Sequence, residues 1–270
     1  MTEQPAAKKY FRLTLKQWLL LIIVVPGIPF VLTSLFIVIY STVPWPTGQK
    51  VEMGKIDAGV EEVIVLIHGK GDQPSSWADG FAAEIDALLL NDRQQAVTVN
   101  WSEYSTDLFR STLNARRIGH ALGAELSAFK NLEKLHLIGH SAGSFVVYGI
   151  CERIKEERAE VFVQSTYLDP VGIYAGVDWG YGPRNFGSCG DISDAYIDRE
   201  DGVPGSNAPL DHPHTFDVTA RRKAAGFKGL PHLWPIEYYR RAVLGGTLPY
   251  WQPEEAALKR YPPGGSTILE

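Results

Sequence analysis

Short apolar runs alternate with helical patterns from Glu62 to Pro170, and nothing else in the sequence constrains the fold as strongly. EVIVLIHG is followed by FAAEIDALLL, QAVTVNW by a long helical stretch between Leu108 and Leu132, and KLHLIGH by a second helix before VFVQSTYLDP. Strands separated by helices are expected to lie parallel, because a parallel pair needs a crossover and the helix supplies it. The expected fold is therefore α/β, with a mostly parallel central sheet carrying helices on both faces and beginning near Val60. Within the long helical stretch Ala115, Ile118, Leu122, Leu126 and Phe129 step by three or four residues and form one buried stripe. Arg116, Arg117, Glu125 and Lys130 are left near water.

A chain of 270 residues, 45% of them hydrophobic, is long enough for one large domain and an appendage. The appendage is at the amino end. No charged residue occurs from Gln17 to Gln49, and LLLIIVVPGIPFVLTSLFIVIY, from Leu19 to Tyr40, exceeds the roughly 20 apolar residues that cross a bilayer. It also exceeds the apolar core of a cleaved signal peptide, so a retained anchor is expected. Pro26, Gly27 and Pro29 should kink this helix without abolishing it. Trp18, Tyr40 and Trp45 stand where interfacial aromatics are usual. Lys8, Lys9, Arg12 and Lys16 precede the run, whereas Lys50 and Lys55 follow it among Glu52 and Asp57. That bias predicts a cytoplasmic amino end and an extracytoplasmic remainder. The expected organisation is a cytoplasmic segment 1–18, a transmembrane anchor 19–40, a linker 41–59 and a catalytic domain 60–270.

The formal net charge of -5 is spread along the chain, which argues against nucleic acid as a partner. Cys151 and Cys189 are too few for a disulfide scaffold and lack the clustered Cys/His spacing of a zinc site. Whether they bridge depends on geometry that their spacing does not supply.

KLHLIGHSAG, from Lys134 to Gly143, contains the pattern G-x-S-x-G, which arises by chance in about one chain in ten of this length. Its context carries more weight. Leu135 to Ile138 reads as a buried strand and Ala142 to Arg158 as a helix, so Ser141 falls at a strand-to-helix junction. Glycines on either side allow the tight turn that lifts a serine hydroxyl above the sheet edge. A serine used as nucleophile needs a base, and the base needs an acid to hold its tautomer. Asp169 ends the next strand and is the expected acid, with Asp191, Asp194 and Asp198 as other candidates. His120 and His136 fall inside predicted elements, and His68 and His140 in turns beside the serine. His212, His214 and His232 follow Asp169 and remain as possible bases.

In this order LIHGKG, VTVNW, LNARRIGHALGAEL, HLIGHSAG, YLDP and HLWPIEYY resemble the pancreatic-type lipase family of α/β-hydrolases, in segments scattered from about Val63 to Tyr239. The resemblance implies an α/β-hydrolase fold, with Ser141 as nucleophile, Asp169 as acid and His232 as base, Tyr238 and Tyr239 standing at the expected offsets. It makes His214 a non-catalytic histidine before an aromatic strand. It assigns the oxyanion-stabilising backbone N–H groups to Ala142 and Lys70, with Gly71 as the fallback. Lys70 stands where the family usually has an aromatic residue, Ala142 where leucine is common, and the family's many cysteines are missing.

The implied activity is that of a serine esterase or lipase working through an acyl-enzyme, with no metal or organic cofactor. Its partners would be a small-molecule or lipid ester and, through the anchor, a membrane. A thioesterase, amidase or peptidase could use the same triad, and a silent hydrolase-like binding domain is a different class of answer. Tyr174, Trp179, Tyr181 and Phe186 lie in the stretch from Ile173 to Pro209, rich in Gly, Asp and Pro. They could line an acyl pocket, form a mobile cover or pack as an ordinary loop.

Overall fold

The computed structural model describes residues 13–43, 51–89, 91–107, 110–249, 251 and 262–270. Lys8, Lys9, Arg12, Trp45 and the part of the expected linker from 44 to 50 lie outside them. Two compact units divide the chain, Met1–Val43 and Pro44–Glu270.

The first unit is built on helix α1 (Leu15–Thr42), which starts before the apolar run and continues through Pro26 and Pro29. Thr14 explains the early start. Its hydroxyl accepts from the Gln17 N–H, and the Gln17 side chain accepts from the Thr14 N–H at 2.8 Å, closing a capping box. Leu15–Tyr40 is long and apolar enough to cross a membrane.

The second unit holds an eight-stranded sheet in the order β1-β3-β2-β4-β5-β6-β7-β8. Its strands are β1 (Glu52–Met53), β2 (Glu62–Ile67), β3 (Gln94–Asn100), β4 (Lys134–His140), β5 (Phe162–Leu168), β6 (Ile192–Ile197), β7 (His214–Asp217) and β8 (Ser266–Ile268). Only β1 is antiparallel to its neighbour. The chain first moves from β2 to β3, then returns past β2 to β4 and continues in the opposite direction. In open α/β sheets such a reversal opens a crevice at the carboxyl ends of the strands.

Two short strands depart from the sequence expectation. β1 lies in the segment 41–59 that read as linker, and it pairs Glu52 with Asn100 and Met53 with Val99. β8 adds an edge beside β7. Both are held by backbone pairing at an edge, which leaves too few side chains to make a periodic pattern.

Both faces of the sheet are buried. Val63, Val65 and Ile67 face one apolar core while Ile64 and Leu66 face another, as the two-residue period of a strand requires. Helices α4 (Ser111–Ser127) and α5 (Ser144–Glu157) cover the first face, and α2 (Ala78–Asp86) and α8 (Trp234–Leu244) the second. The α4 stripe buries Ala115, Ile118, Leu122 and Leu126 as expected, with Phe129 packed partly buried against it. Arg116 is drawn further in, paired with Glu152 on α5 at 2.9 Å. A Cβ on Gly119 would come within 2.9 Å of the Gly149 Cα, so only glycines allow α4 and α5 to approach this closely.

Cys151 and Cys189 form a disulfide, joining α5 to the loop before β6. The aromatic residues of that region belong largely to the core. Tyr174, Tyr181 and Phe186 pack around Phe145, with Tyr174 and Tyr181 stacked at 4.5 Å between ring centres. Trp179 alone of the four points outward, 63% exposed.

Candidate active site

Ser141 follows β4 directly, with φ at 54°, a left-handed conformation that costs a non-glycine residue energy. Its neighbours make the turn possible. A Cβ on Gly139 would come within 2.5 Å of Val147, and one on Gly143 within 2.6 Å of the His68 carbonyl oxygen. One 3-10 turn, Ser141–Gly143, intervenes before α5, so the helix starts two residues later than its apolar pattern suggested.

Asp169 follows β5 in the same way, with φ at 45°, and its side chain is fully buried. Its N–H donates to the Tyr196 carbonyl at 2.8 Å, which ties it to the neighbouring strand β6. His232 occupies a 3-10 turn, Pro231–Leu233, that leads into α8. Its Nδ1 lies 2.7 Å from Asp169 Oδ2, so an Nδ1–H donates to that carboxylate and leaves Nε2 free to accept. Ser141 and His232 line the same cleft.

One residue at this site escaped the sequence reading. Asp201, in the turn after β6, also places its Oδ2 2.9 Å from His232 Nδ1. Asp191, Asp194 and Asp198 are engaged elsewhere: Asp191 with Lys155, Asp194 with Thr166 and Tyr196, Asp198 with Arg222. In the sequence Asp201 sits in REDGVPGSN, which reads as a solvated turn.

Burial pushes the Asp169 carboxyl up to about 7, against the hydrogen bond and charge of His232. Burial also acts upward on Asp201, but the Ser206 hydroxyl, the His232 charge and a hydrogen bond with Asp169 outweigh it and hold this group below its ordinary value. For His232 burial acts downward, and the hydrogen bond and charge of Asp169, then the charge of Asp201, raise it above an ordinary histidine. Deeper burial of Asp169 and the partners of Asp201 thus drive the two acids apart.

His140, beside the serine, holds the backbone of His232. Its Nε2–H donates to the His232 carbonyl at 3.0 Å, and the two rings lie 4.7 Å apart. Burial, then the His232 charge, lowers His140 to about 3. It therefore stays neutral beside an imidazolium. Its Nδ1 and the Trp77 Nε1 are buried without a protein partner among the described residues, and both side chains line the cleft.

The loop after β2 is braced from below. His68 Nδ1–H donates to the Gly69 carbonyl at 2.9 Å, while Nε2 accepts from the Trp101 N–H at 3.3 Å. The Gly71 N–H is spent on Ser105 Oγ at 3.1 Å, which removes it as an oxyanion donor. Lys70 lines the cleft and is exposed. Ala142 is buried behind Ser141 at the start of the turn.

The cleft has a volume of about 460 Å³. Trp77, Phe227, Leu233 and Ile236 give it an apolar wall, and Lys70, Asp72, Ser76 and Glu237 supply polar groups. None of its lining residues comes from 173–209, so of the three readings left open for that stretch the acyl pocket is not the one this cleft supports.

The remaining histidines fall away from the site. His120 pairs with Glu152, His136 with Thr166, His212 with the Arg184 carbonyl, and His214 with the Pro262 carbonyl and Thr267. Among the described residues, one group of acidic and histidine side chains is close enough to share a cation, and it is the trio Asp169, Asp201 and His232 itself. The hydrogen bonds already described account for those atoms.

The Alpha/beta hydrolase family matches residues 64–269, and the chain belongs to it. Among solved structures, a hydrolase of the alpha/beta superfamily from Xanthomonas campestris pv. campestris is 12% identical, covering 69% of this chain and 98% of its own, with a TM-score of 0.45. An esterase of Pyrobaculum calidifontis is 11% identical over 80% and 90% of the two chains, with a TM-score of 0.40. An esterase of Pyrococcus furiosus is 15% identical over 76% and 85%, with a TM-score of 0.39. No curated protein matches the chain.

Proposed function

We propose that the chain is a membrane-anchored serine hydrolase of carboxylic esters, an esterase or lipase, with Ser141 as nucleophile, His232 as base and Asp169 as acid. One observation carries this reading. A strained serine at a strand-to-helix turn shares a cleft with a histidine whose Nδ1–H is held by a buried carboxylate.

The chemistry follows from those positions. His232 Nε2 takes the Ser141 proton as Oγ attacks the ester carbonyl, and the N–H groups of Lys70 and Ala142 hold the oxyanion. His232 returns the proton to the departing alcohol, leaving an acyl-enzyme. It then activates a water, which releases the acid and restores Ser141. The apolar wall of Trp77, Phe227, Leu233 and Ile236 suits an acyl chain, and the cleft volume falls in the range of small-molecule sites. The charge bias around α1 and the disulfide both favour a catalytic domain on the oxidising side of the membrane.

A fluorophosphonate probe should label the protein, and labelling should vanish in Ser141→Ala. Chain-length profiling with p-nitrophenyl esters, then emulsified glycerides, should yield turnover. Hydrolysis of amides alone would reject the ester reading, and labelling that survives Ser141→Ala would reject the nucleophile.

A further inference from the structure

We propose that His232 is held by a pair of carboxylates, Asp169 and Asp201, which share one proton and divide the acid's part between the ends of two adjacent strands. This rests on the reading of Ser141 and His232 as nucleophile and base, and makes Asp201 a second positioning residue for that reaction.

The geometry comes from β5 and β6 lying side by side. Asp169 directly follows β5, and Asp201 follows β6 after a tight turn in which its N–H donates to the Asp198 carbonyl at 3.0 Å. Their Oδ2 atoms lie 2.7 Å and 2.9 Å from one nitrogen, so the single Nδ1–H is shared between both. Each carboxylate is fixed independently. Asp169 Oδ1 accepts from the Asp198 N–H at 3.2 Å, while Asp201 Oδ2 accepts from Ser206 Oγ and its carbonyl oxygen accepts from Asn207 Nδ2 at 2.7 Å. Asp201 is thus a built feature, 6% exposed, rather than a turn residue that drifts past the histidine.

Charge then requires the shared proton. Two ionised carboxylates facing a neutral imidazole would bury two negative charges with one hydrogen between them, and like charges this close do not both ionise. The other charged groups nearby do not relieve them. His140, from the end of β4, is neutral; Asp198 is paired with Arg222 from α7 (Thr219–Ala224), and Glu200 with Arg222 and Lys223. One added proton brings the trio to a single negative charge, whether it rests on a carboxyl or on the ring. The directions agree, with Asp169 raised and Asp201 lowered. With His232 neutral, as its action as a base requires, the added proton lies within the carboxyl pair and one carboxylate stays ionised. When the Ser141 proton reaches Nε2, the imidazolium faces that carboxylate and the pair keeps its own proton. No proton is gained or lost overall.

Either carboxylate can then serve when the other is neutralised. The test compares kcat/KM on a short-chain p-nitrophenyl ester for wild type, Asp169→Asn, Asp201→Asn and the double variant. Each single variant should stay within about a hundredfold of wild type, and the double should fall by about 10⁴, the loss seen when a lone triad aspartate becomes asparagine. A single variant that falls as far as the double overturns the proposal.

Ser206→Ala checks the coupling without replacing either carboxylate, by removing the hydroxyl that donates to Asp201. It should cost more in the Asp169→Asn background, where Asp201 works alone, than in wild type, and equal costs would overturn the pair.

Titration of the His232 ring by NMR reads the same arrangement without turnover. Each single variant leaves one carboxylate beside the ring and should keep its pKa near that of wild type, while the double should lower it. A single variant that lowers it as far as the double means one acid, whatever the protein hydrolyses. If the ring responds to both carboxylates but no ester is cleaved and no serine is labelled, the proposed function fails while the shared pair stands.

Discussion

The two edges of the sheet are made from the same strands and follow opposite rules. At the amino ends charge is handled near solvent by short pairs. Glu62, at the start of β2, meets Lys134 at the start of β4 at 2.8 Å, and Lys155 meets Asp191 at 2.6 Å. Arg158 closes the same edge by donating to the carbonyls of Phe129 and Leu132 at 2.9 Å and 3.1 Å. At the carboxyl ends Ser141 and Asp169 adopt positive φ, two carboxylates are buried on one imidazole, and His140 keeps an unpartnered ring nitrogen. Strain and buried charge are costly in a marginally stable fold, and they are concentrated where substrate would meet the chain. The amino edge shows what the fold does when stability alone is served.

Removing chemistry from the carboxyl edge should give the largest effect. Ser141→Ala or His232→Ala should lower ester turnover by about 10⁴ to 10⁶, with thermal melting nearly unchanged. A variant that keeps near-normal turnover breaks the assignment of that edge. Gly143→Ala tests the turn itself. Its Cβ would meet the carbonyl oxygens of His68 and Ile67, so it should destabilise the fold by about 1–3 kcal/mol and abolish labelling of Ser141.

Behind the turn, replacing Cys151 and Cys189 together with alanine should cost about 2–4 kcal/mol in denaturant unfolding, because the bridge restrains the unfolded chain across a separation of 38 residues. A smaller effect comes from Asp194, within the sheet between the two edges. Burial pushes its carboxyl from 3.8 to about 6. Between those values the unfolded chain has released the proton that the folded chain still holds, so stability falls as pH rises through that window. Asp194→Asn should remove this part of the fall, read from urea unfolding at about pH 4 and about pH 6.5. The smallest effect belongs to the amino edge. Lys134→Met removes a partly exposed pair and should change stability by less than about 1 kcal/mol without altering turnover. A large loss there would erase the contrast.

What could be read in the sequence follows the same division. β2 is a near-continuous apolar run because both of its faces are buried, and that pattern survives in one dimension. Ser141 is marked by its glycines, Asp169 by the strand it ends, and His232 by its place in the motif order. Asp201 carries no such mark, since its role depends on β6 lying beside β5. The Cys151–Cys189 bridge was open for the same reason, and β1 and β8 were too short to write a period. The aromatic residues between 173 and 209 read equally well as pocket or core, because residue type does not reveal which face of α5 they cover.

The hydrogen bond from His140 to the His232 carbonyl spans 92 residues of sequence. Its length sets an order on biosynthesis. A growing chain can complete β2, β4 and the serine turn long before His232 exists, so on the proposed reading Ser141 is placed without its activator while the remaining chain is made. Contacts of such separation form late, after the local helices and neighbouring strands have organised. On the proposed reading, activity should therefore appear only once the carboxy-terminal quarter has docked.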